Sequence, residues 1–396
     1  MAYTYFGYPA LLWMLTPRAK HAAPNPMPYR WPSVTIVVSA YNEEQVIEER
    51  LQNLLAIDYP QYTVLVGSDG SSDRTCEIVR GIGNRQVRLV AFPSRRGKAS
   101  VLNDLIAGAD GDIVVLTDAN TVFERDAVRE LVAAFIAHPT ASAIVGQLHV
   151  HYSAKGGNYD GLYWRYETWI KRMESGFGAV LGANGAIYAI RRRQFEPLPT
   201  SAIVDDFLIP MLIHQKYGGE ILFVPTARAA ESCTHDVRRE FFRHIRIGAG
   251  DLQALVRTWR LLSPRRGMIA LTYWSHKVLR WCSPLFLLTV FVGNFWLLDS
   301  GVFRVLLGGQ LTAYGLALLG PFLRPIPLVG RVTSMAWYFV VLNAALLLGY
   351  FRYALGFARP TWNTTPRAVG QAGATMRLAD EAGDQDPLAQ ESRPAA

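Results

Sequence analysis

Cysteine is scarce. Three are present in 396 residues, Cys76, Cys233 and Cys282, far apart and without metal-ligand spacing. An odd, sparse set argues against a disulfide framework, and all three read as structural. Two nucleotide-binding signatures are also missing. There is no Gly-x-Gly-x-x-Gly behind the first strand and no Gly-x-x-x-x-Gly-Lys-Ser/Thr, so dinucleotide and P-loop readings are weak. Acidic residues are outnumbered, 32 against 40 Lys and Arg, for a net charge of +8. Such an excess fits nucleic acid or a membrane protein with basic cytoplasmic segments. No nucleic-acid recognition motif supports the first. The apolar stretch from Tyr3 to Leu15 is shorter than the ~20 residues that span a bilayer. It lacks the basic start of a signal peptide, and reads as an interfacial helix or a shortened anchor. Pro24, Pro26, Pro28 and Pro32 then mark a stiff linker.

What is present is an alternation of strand and helix. Val34–Ala40, Thr63–Ser68, Val87–Phe92 and Ile113–Leu116 are short, β-branched apolar runs, each of which reads as a buried strand. Between them Ile47, Leu51, Leu54 and Leu55, then Val101, Leu102, Leu105 and Ile106, fall at helical spacing. Asn42, with Gln45 three residues on, reads as a capping box for the first helix. Asp73–Ile82 reads as a helix, as does the segment around Val128, Leu131, Val132 and Phe135. The pattern predicts a parallel sheet with right-handed crossovers.

Three strands end in polar clusters: Tyr41-Asn42-Glu43-Glu44, Asp69-Gly70-Ser71-Ser72-Asp73 and Asp118-Ala119-Asn120. In a parallel sheet these share the rim where ligands bind. Oxygen donors there suit Mg²⁺ or Mn²⁺ carrying a diphosphate. Asp118 and Asn120 read equally as a strand end with an Asx turn. Downstream, Tyr159–Arg172 is aromatic and charged, and is either a helix over the pocket or packing. Gly182-Ala-Asn-Gly185 is a small-residue turn that lets backbone approach a ligand. Asp205 and Asp206 are adjacent acids between apolar residues. Burial of one beside the other raises its pKa, as a general base requires; the alternative is a helix cap. Arg239, Arg243 and Arg246 share a helix face, which either grips a diphosphate or is solvated.

After Arg266 the character changes. Gly267–Trp281 mixes aromatic and basic residues, as in an interfacial helix. Leu285–Leu298, Val302–Leu323 and Val332–Leu355 are candidate spans. The basic linker Arg324–Arg331 places that side, and with it the large domain, in the cytoplasm. Arg352, Arg359 and Arg367 pull the other way; a re-entrant segment would reconcile them. The divisions expected are an anchor and linker over 1–32, an α/β domain over 33–262, an interfacial helix over 263–283, transmembrane helices over 284–358 and a tail over 359–396, disordered beyond about 370.

These motifs, in this order, resemble membrane-bound, processive-type family 2 glycosyltransferases such as cellulose, hyaluronan and poly-N-acetylglucosamine synthases. The matching residues are Ala40-Tyr-Asn-Glu43, Ser68-Asp-Gly-Ser-Ser-Asp73, Gly97-Lys98 with Asn103, Thr117-Asp-Ala-Asn120, Gly182-Ala-Asn-Gly185, Val204-Asp-Asp206 and Arg243-x-x-Arg246. Ser275-His-Lys-x-x-Arg-Trp281 and Trp362-x-x-Thr365-x-Arg367 match as well. The resemblance implies the GT-A fold, an α/β nucleotide-sugar-binding domain, followed by an interfacial helix and transmembrane helices in the inner membrane, with the domain cytoplasmic. It implies an inverting transfer from a nucleotide sugar, such as a UDP-sugar, to a glycan or lipid-linked acceptor, with Mg or Mn as cofactor. Tyr41, Glu43 and Asp69 would hold the nucleoside, with Lys98 near the nucleotide. Asp118 would contact the metal with Asn120 beside it, and Asp206, next to Asp205, would be the base. Arg243 and Arg246 would steady the departing diphosphate. Membrane lipid is the implied surroundings. Three or four spans are few for a translocation channel, which leaves room for an oligomer or export partner. Two positions depart from the family pattern. Asn120 stands where a second acid is usual, which lowers charge at the metal. Ile247 stands where Trp is usual, which removes a stacking platform for the acceptor. That favours single additions to a lipid carrier as the alternative. A non-catalytic nucleotide-sugar-binding subunit is a further one.

Overall fold

The computed structural model describes residues 2–16, 30–152, 159–233, 237–323, 326 and 328–358. The Pro-rich linker, much of the Arg324–Arg331 linker, the Trp362–Arg367 motif and the tail lie outside them. The chain forms two compact units. One comprises Pro9–His235 and Arg260–Thr272; the other comprises Met1–Tyr8, Asp236–Trp259 and Tyr273–Arg359.

A π-helical turn at Tyr3–Gly7 leads into α1 (Tyr8–Leu15). The first unit then alternates as expected. Strand β1 (Val34–Ala40) is followed by α2 (Ile47–Leu55), β2 (Tyr62–Asp69), α3 (Thr75–Gly81), β3 (Val87–Phe92), α4 (Lys98–Ala107) and β4 (Ile113–Asp118). Next come β5 (Val122–Phe123), α5 (Ala127–Ala137), β6 (Ala143–Tyr152), α6 (Tyr159–Ser175), β7 (Tyr188–Arg191), α7 (Asp205–Tyr217) and β8 (Ile221–Cys233). All eight strands form one sheet in the order β3-β2-β1-β4-β7-β6-β8-β5.

The first four strands are parallel. The expected mainly parallel sheet holds for this half only. Strand β7 runs antiparallel to both β4 and β6, and β5 antiparallel to β8. The reversal has a local cause. The Gly182–Gly185 turn lies at the rim, beside Asp118, so β7 starts where β4 ends.

Both faces of the parallel half are covered, which explains its unbroken apolar runs. Ile36, Val38, Val64, Val66, Ile113 and Val115 share a core with Leu51 and Leu54 of α2 and with Val128, Leu131, Val132 and Phe135 of α5. On the other face α4 sits so close that a Cβ at Gly67 would come within 2.6 Å of Val101 and Leu105.

The second unit is helical. It contains α8 (Val237–Thr258), α11 (Ser283–Trp296), α12 (Gly301–Leu323) and α13 (Val329–Ala354). Between α8 and α11 the chain passes through α9 (Met268–Thr272), a π-helical stretch Tyr273–Val278 and α10 (Leu279–Trp281). The single amphipathic helix expected over 263–283 is therefore broken, and His276 is buried rather than turned to a surface. Met268–Trp281 and Ser283–Trp296 together have the length and hydropathy of one span, bent by 55° at the break. Alone, α11 is 14 residues, too short to cross. Helices α12 and α13 are each long and apolar enough to cross a membrane. Within this unit α8 packs on α13 almost backbone to backbone. A Cβ at Gly248 would come within 2.8 Å of the Leu346 carbonyl, and one at Gly349 would strike the Ile245 carbonyl.

Candidate active site

Strand register brings the polar clusters together. Ser39 pairs with Asp118 and Ala40 with Ser68, so β1, β2 and β4 end level and their loops leave from one rim. The first two loops are laced to each other. Asn42 adopts φ +52°, a left-handed conformation that Asn tolerates. Its Oδ1 accepts the Ser72 amide at 2.8 Å, and its own amide donates to Ser71 Oγ at 3.1 Å. Asn42 is therefore not a helix cap: α2 starts later, behind Val46, with no side-chain cap. The Glu43 amide donates to Thr75 Oγ1 and the Glu44 amide to Asp73 Oδ2. Burial works to raise the Asp73 pKa, but hydrogen bonds from Thr75 and Glu44 outweigh it and hold the carboxyl low.

Asp69 is fully buried. Its Oδ1 accepts the Arg96 amide at 2.6 Å and its Oδ2 the Gly97 amide at 2.9 Å. Those bonds shape the turn that launches α4, where Gly97 has φ +91°. Gly70 is needed beside it, because a Cβ would approach the Arg95 amide within 2.6 Å. Tyr41 is half-buried, and the Arg95 guanidinium stacks 3.9 Å over its ring. Glu43 is buried at the same rim.

The turn held by Asp69 delivers Lys98, the first residue of α4. Its Nζ lies 2.9 Å from Asp118 Oδ1 and 3.1 Å from Asp205 Oδ2. One ammonium thus joins the end of β4 to the start of α7. Burial acts to lower the Lys98 pKa, but the negative charges of Asp118 and Asp205 more than reverse this. Asp206 lies beside them. Burial first, then the charge of Asp205, pushes its carboxyl up to about 6, with Lys98 opposing.

The backbone under Asp206 is held by a missing donor. Pro210 sits inside α7 and has no N–H for the carbonyl four residues back. That carbonyl belongs to Asp206, and it accepts the Ala183 amide at 3.0 Å instead. The Gly182–Gly185 turn is thereby tied to α7. A Cβ at Gly182 would strike Phe207 at 2.6 Å, and one at Gly185 would meet Asp118 Oδ2 at 2.7 Å.

The bare Gly185 leaves a cradle beside the Asp118 carboxylate, and Asn120 is half-buried just beyond it. One carboxylate and one amide oxygen fill part of an octahedral shell. They fit a divalent cation whose remaining ligands come from a diphosphate and water. Among the described residues no group of three or more His, Cys, Asp or Glu stands ready to hold an ion unaided.

Arg243 and Arg246 lie on α8, in the helical unit. Arg243 pairs with Glu240 at 3.1 Å, and Ile247 follows them half-buried. The other expected site residues all belong to the α/β unit.

Two buried polar residues in that unit escaped the sequence reading. Arg50 donates to Thr117 Oγ1 at 2.8 Å and to Asn53 Oδ1 at 2.7 Å, beneath the end of β4. Its guanidinium lies 4.3 Å over the Phe123 ring. Burial lowers its pKa to about 9, against the pull of Glu231 and Asp118. The signal was its position, three residues after Ile47 on the apolar stripe of α2. The second is Tyr188, at the start of β7, hidden in an apolar run.

Comparison with known proteins agrees with this architecture. Residues 35–196 match the sequence model of Glycosyl transferase family 2. Poly-beta-1,6-N-acetyl-D-glucosamine synthases of Staphylococcus epidermidis and Staphylococcus aureus strain COL are 26% and 28% identical over 206 residues, 49% of this chain and 48% of theirs. The chain thus spans about half the length of the curated relatives it matches. A mannosyltransferase from Pyrobaculum calidifontis, solved in complex with GDP-Man and Mn²⁺, aligns with a TM-score of 0.66 at 24% identity. The alignment covers 90% of this chain and 97% of that one. The α/β unit has the GT-A fold. The chain carries a family 2 glycosyl transferase domain and is related to polysaccharide synthases.

Proposed function

We propose that the protein is an inverting, metal-dependent glycosyltransferase. It moves a sugar from a nucleotide-sugar donor to a polysaccharide or glycolipid acceptor at the membrane. The observation that carries this reading is the Asp206 carboxyl, held near pKa 6 beside the Lys98 bridge from Asp118 to Asp205. A base poised near neutral pH is what a hydroxyl nucleophile requires.

In this reading Tyr41 and Glu43 line the nucleoside end, and Asp69 acts through the turn it holds. Asp118 and Asn120 hold Mg²⁺ or Mn²⁺ with the diphosphate, and the bound cation neutralises phosphate charge. Lys98 adds a positive charge on the same side. The family resemblance assigns Arg243 and Arg246 to the departing diphosphate. The acceptor oxygen attacks the anomeric carbon from the face opposite the leaving group. The bond from that carbon to the diphosphate oxygen breaks, and the hydroxyl proton passes to Asp206. One base suffices for inversion, without the second carboxylate of a retaining hydrolase.

A UDP-sugar is the favoured donor on the family resemblance; the GDP-Man held by the archaeal mannosyltransferase makes a GDP-sugar the comparison to run. Helices α12 and α13 place the reaction at a membrane, with the α/β unit on the cytoplasmic face. Ile247, where an acceptor-stacking aromatic is usual, favours a second reading, the addition of single sugars to a lipid carrier.

The test uses full-length protein in detergent with UDP- and GDP-sugars and Mg²⁺ or Mn²⁺. Transfer is expected with one donor class, abolished by EDTA and by Asp206→Asn. Undiminished turnover in Asp206→Asn would reject the assigned base. A product ladder excludes single addition, and nucleotide binding without transfer to any acceptor favours a non-catalytic subunit.

A further inference from the structure

Tyr188 is a buried polar residue that none of these roles uses. It opens β7 directly opposite Leu116 of β4. Side chains alternate along a strand, so Leu116 and Asp118 leave β4 on one face. Paired residues on neighbouring strands share a face, which puts Tyr188 on the Asp118 side of the sheet. Its side chain is among the largest that are fully buried, and its phenolic oxygen has no hydrogen-bond partner. A buried hydroxyl without a partner is unfavourable, and its presence calls for a reason. Burial, together with the charges of Asp205, Asp206 and Asp118, holds the phenol well above its ordinary value. The group therefore keeps its proton and can donate.

The acceptor that needs it is Asp205. That carboxylate is nearly buried, with 11% of its side chain exposed, and the cation paired with it is Lys98, which it shares with Asp118. One ammonium cannot keep both carboxylates and also meet a diphosphate. We infer that Tyr188 is a positioning residue for the acid pair: when Lys98 turns to the diphosphate of a bound donor, the Tyr188 hydroxyl donates to Asp205 and keeps Asp206 aimed at the acceptor. The inference rests on the reading of this rim as a nucleotide-sugar site.

The test is Tyr188→Phe in the full-length chain. In the absence of nucleotide the variant loses no partner, so its Tm should equal or exceed that of the wild type. Nucleoside diphosphate affinity and donor KM should stay within about twofold, while kcat falls about tenfold to a hundredfold, as for the loss of a hydrogen bond to a charged group. Asp205→Asn supplies the second measurement. If Tyr188 acts through Asp205, the double variant is no slower than Asp205→Asn alone. Unchanged kcat, a lowered Tm, or effects that multiply in the double variant would each overturn the inference. A wild-type protein that transfers no sugar overturns the proposed function and this inference with it. An active wild type with an indifferent Tyr188→Phe overturns the inference alone.

Discussion

The two units treat polar and apolar groups in opposite ways. In the α/β unit the large apolar side chains are inside, and charge is buried only where it is paired: Lys98 with Asp118 and Asp205, Arg50 with Thr117 and Asn53. In the helical unit the long apolar side chains face outward, with Val305 at 75% and Phe322 at 78% exposure. Its interior holds neutral polar groups that satisfy one another. Asn294 donates to Gln310 at 3.0 Å, and Gln310 to Tyr314 at 2.9 Å. Small residues allow α8 and α13 to approach closely, as in helices that pack without a hydrophobic drive between them. One unit is organised for water outside and the other for hydrocarbon outside. The same substitution should therefore fail for different reasons in each.

The largest expected effect falls on the buried charge cluster. Asp206→Asn should lower kcat by about 10²–10⁴, the usual contribution of a positioned base, measured with the donor that the wild type uses. Stability should move the other way. The carboxyl is raised to about 6 in the fold, so its ionisation costs stability as pH climbs from the unfolded value toward 6. Asp206→Asn should then raise Tm at pH 7 and leave it unchanged near pH 4. A lower Tm at pH 7 would mean that the carboxylate stabilises the fold and that its pKa has the wrong sign.

Next come paired aspartate substitutions. Val115→Asp places an unpaired carboxylate in the α/β core, where Val115 is fully buried. A loss of about 3 kcal/mol or more is expected in denaturant titration, enough to unfold a marginal domain. Val305→Asp touches no core. Its cost appears only if hydrocarbon surrounds α12, at about 2.5–3.5 kcal/mol for insertion. Membrane fractionation should then show less integrated protein. Unchanged integration would remove α12 from the lipid and dissolve the contrast between the units.

A smaller effect is the pH dependence of kcat/KM. It should be flat above neutrality and fall about tenfold per pH unit below 6, because the base must be ionised. In Asp206→Asn that limb should vanish from any residual activity. The smallest effect is at the surface. Asp110 pairs with Arg88 at 2.6 Å, but both are exposed, and Asp110→Ala should change stability by less than about 1 kcal/mol in chemical denaturation.

Much of this was legible from residue type and period alone. Strands Val34–Ala40 and Val87–Phe92 lie where the apolar runs placed them, because a strand buried on both faces leaves little choice of composition. The acids at the strand ends were visible because parallel strands with helical crossovers must present one rim. Other readings failed for physical reasons. Asn42 has the chemistry of a cap, yet the neighbouring Asp69–Asp73 loop competes for it. Asp69 was expected at the nucleoside, but two amides of the α4 turn occupy its carboxylate. The amphipathic pattern after Gly267 did not reveal a π-helical break or a bend of 55°.

By itself the sequence determined the period of each element, the side of the sheet that carries acids, and which helices can tolerate lipid. These are local properties, set by side-chain chemistry and spacing along the chain. Only the tertiary structure decided that β7 runs backwards beside β4, that Lys98 serves two acids at once, that Arg50 lies under Thr117, and that Tyr188 has no acceptor. Each depends on the register between segments far apart in the chain, and register follows from packing the whole sheet rather than from any one stretch of residues.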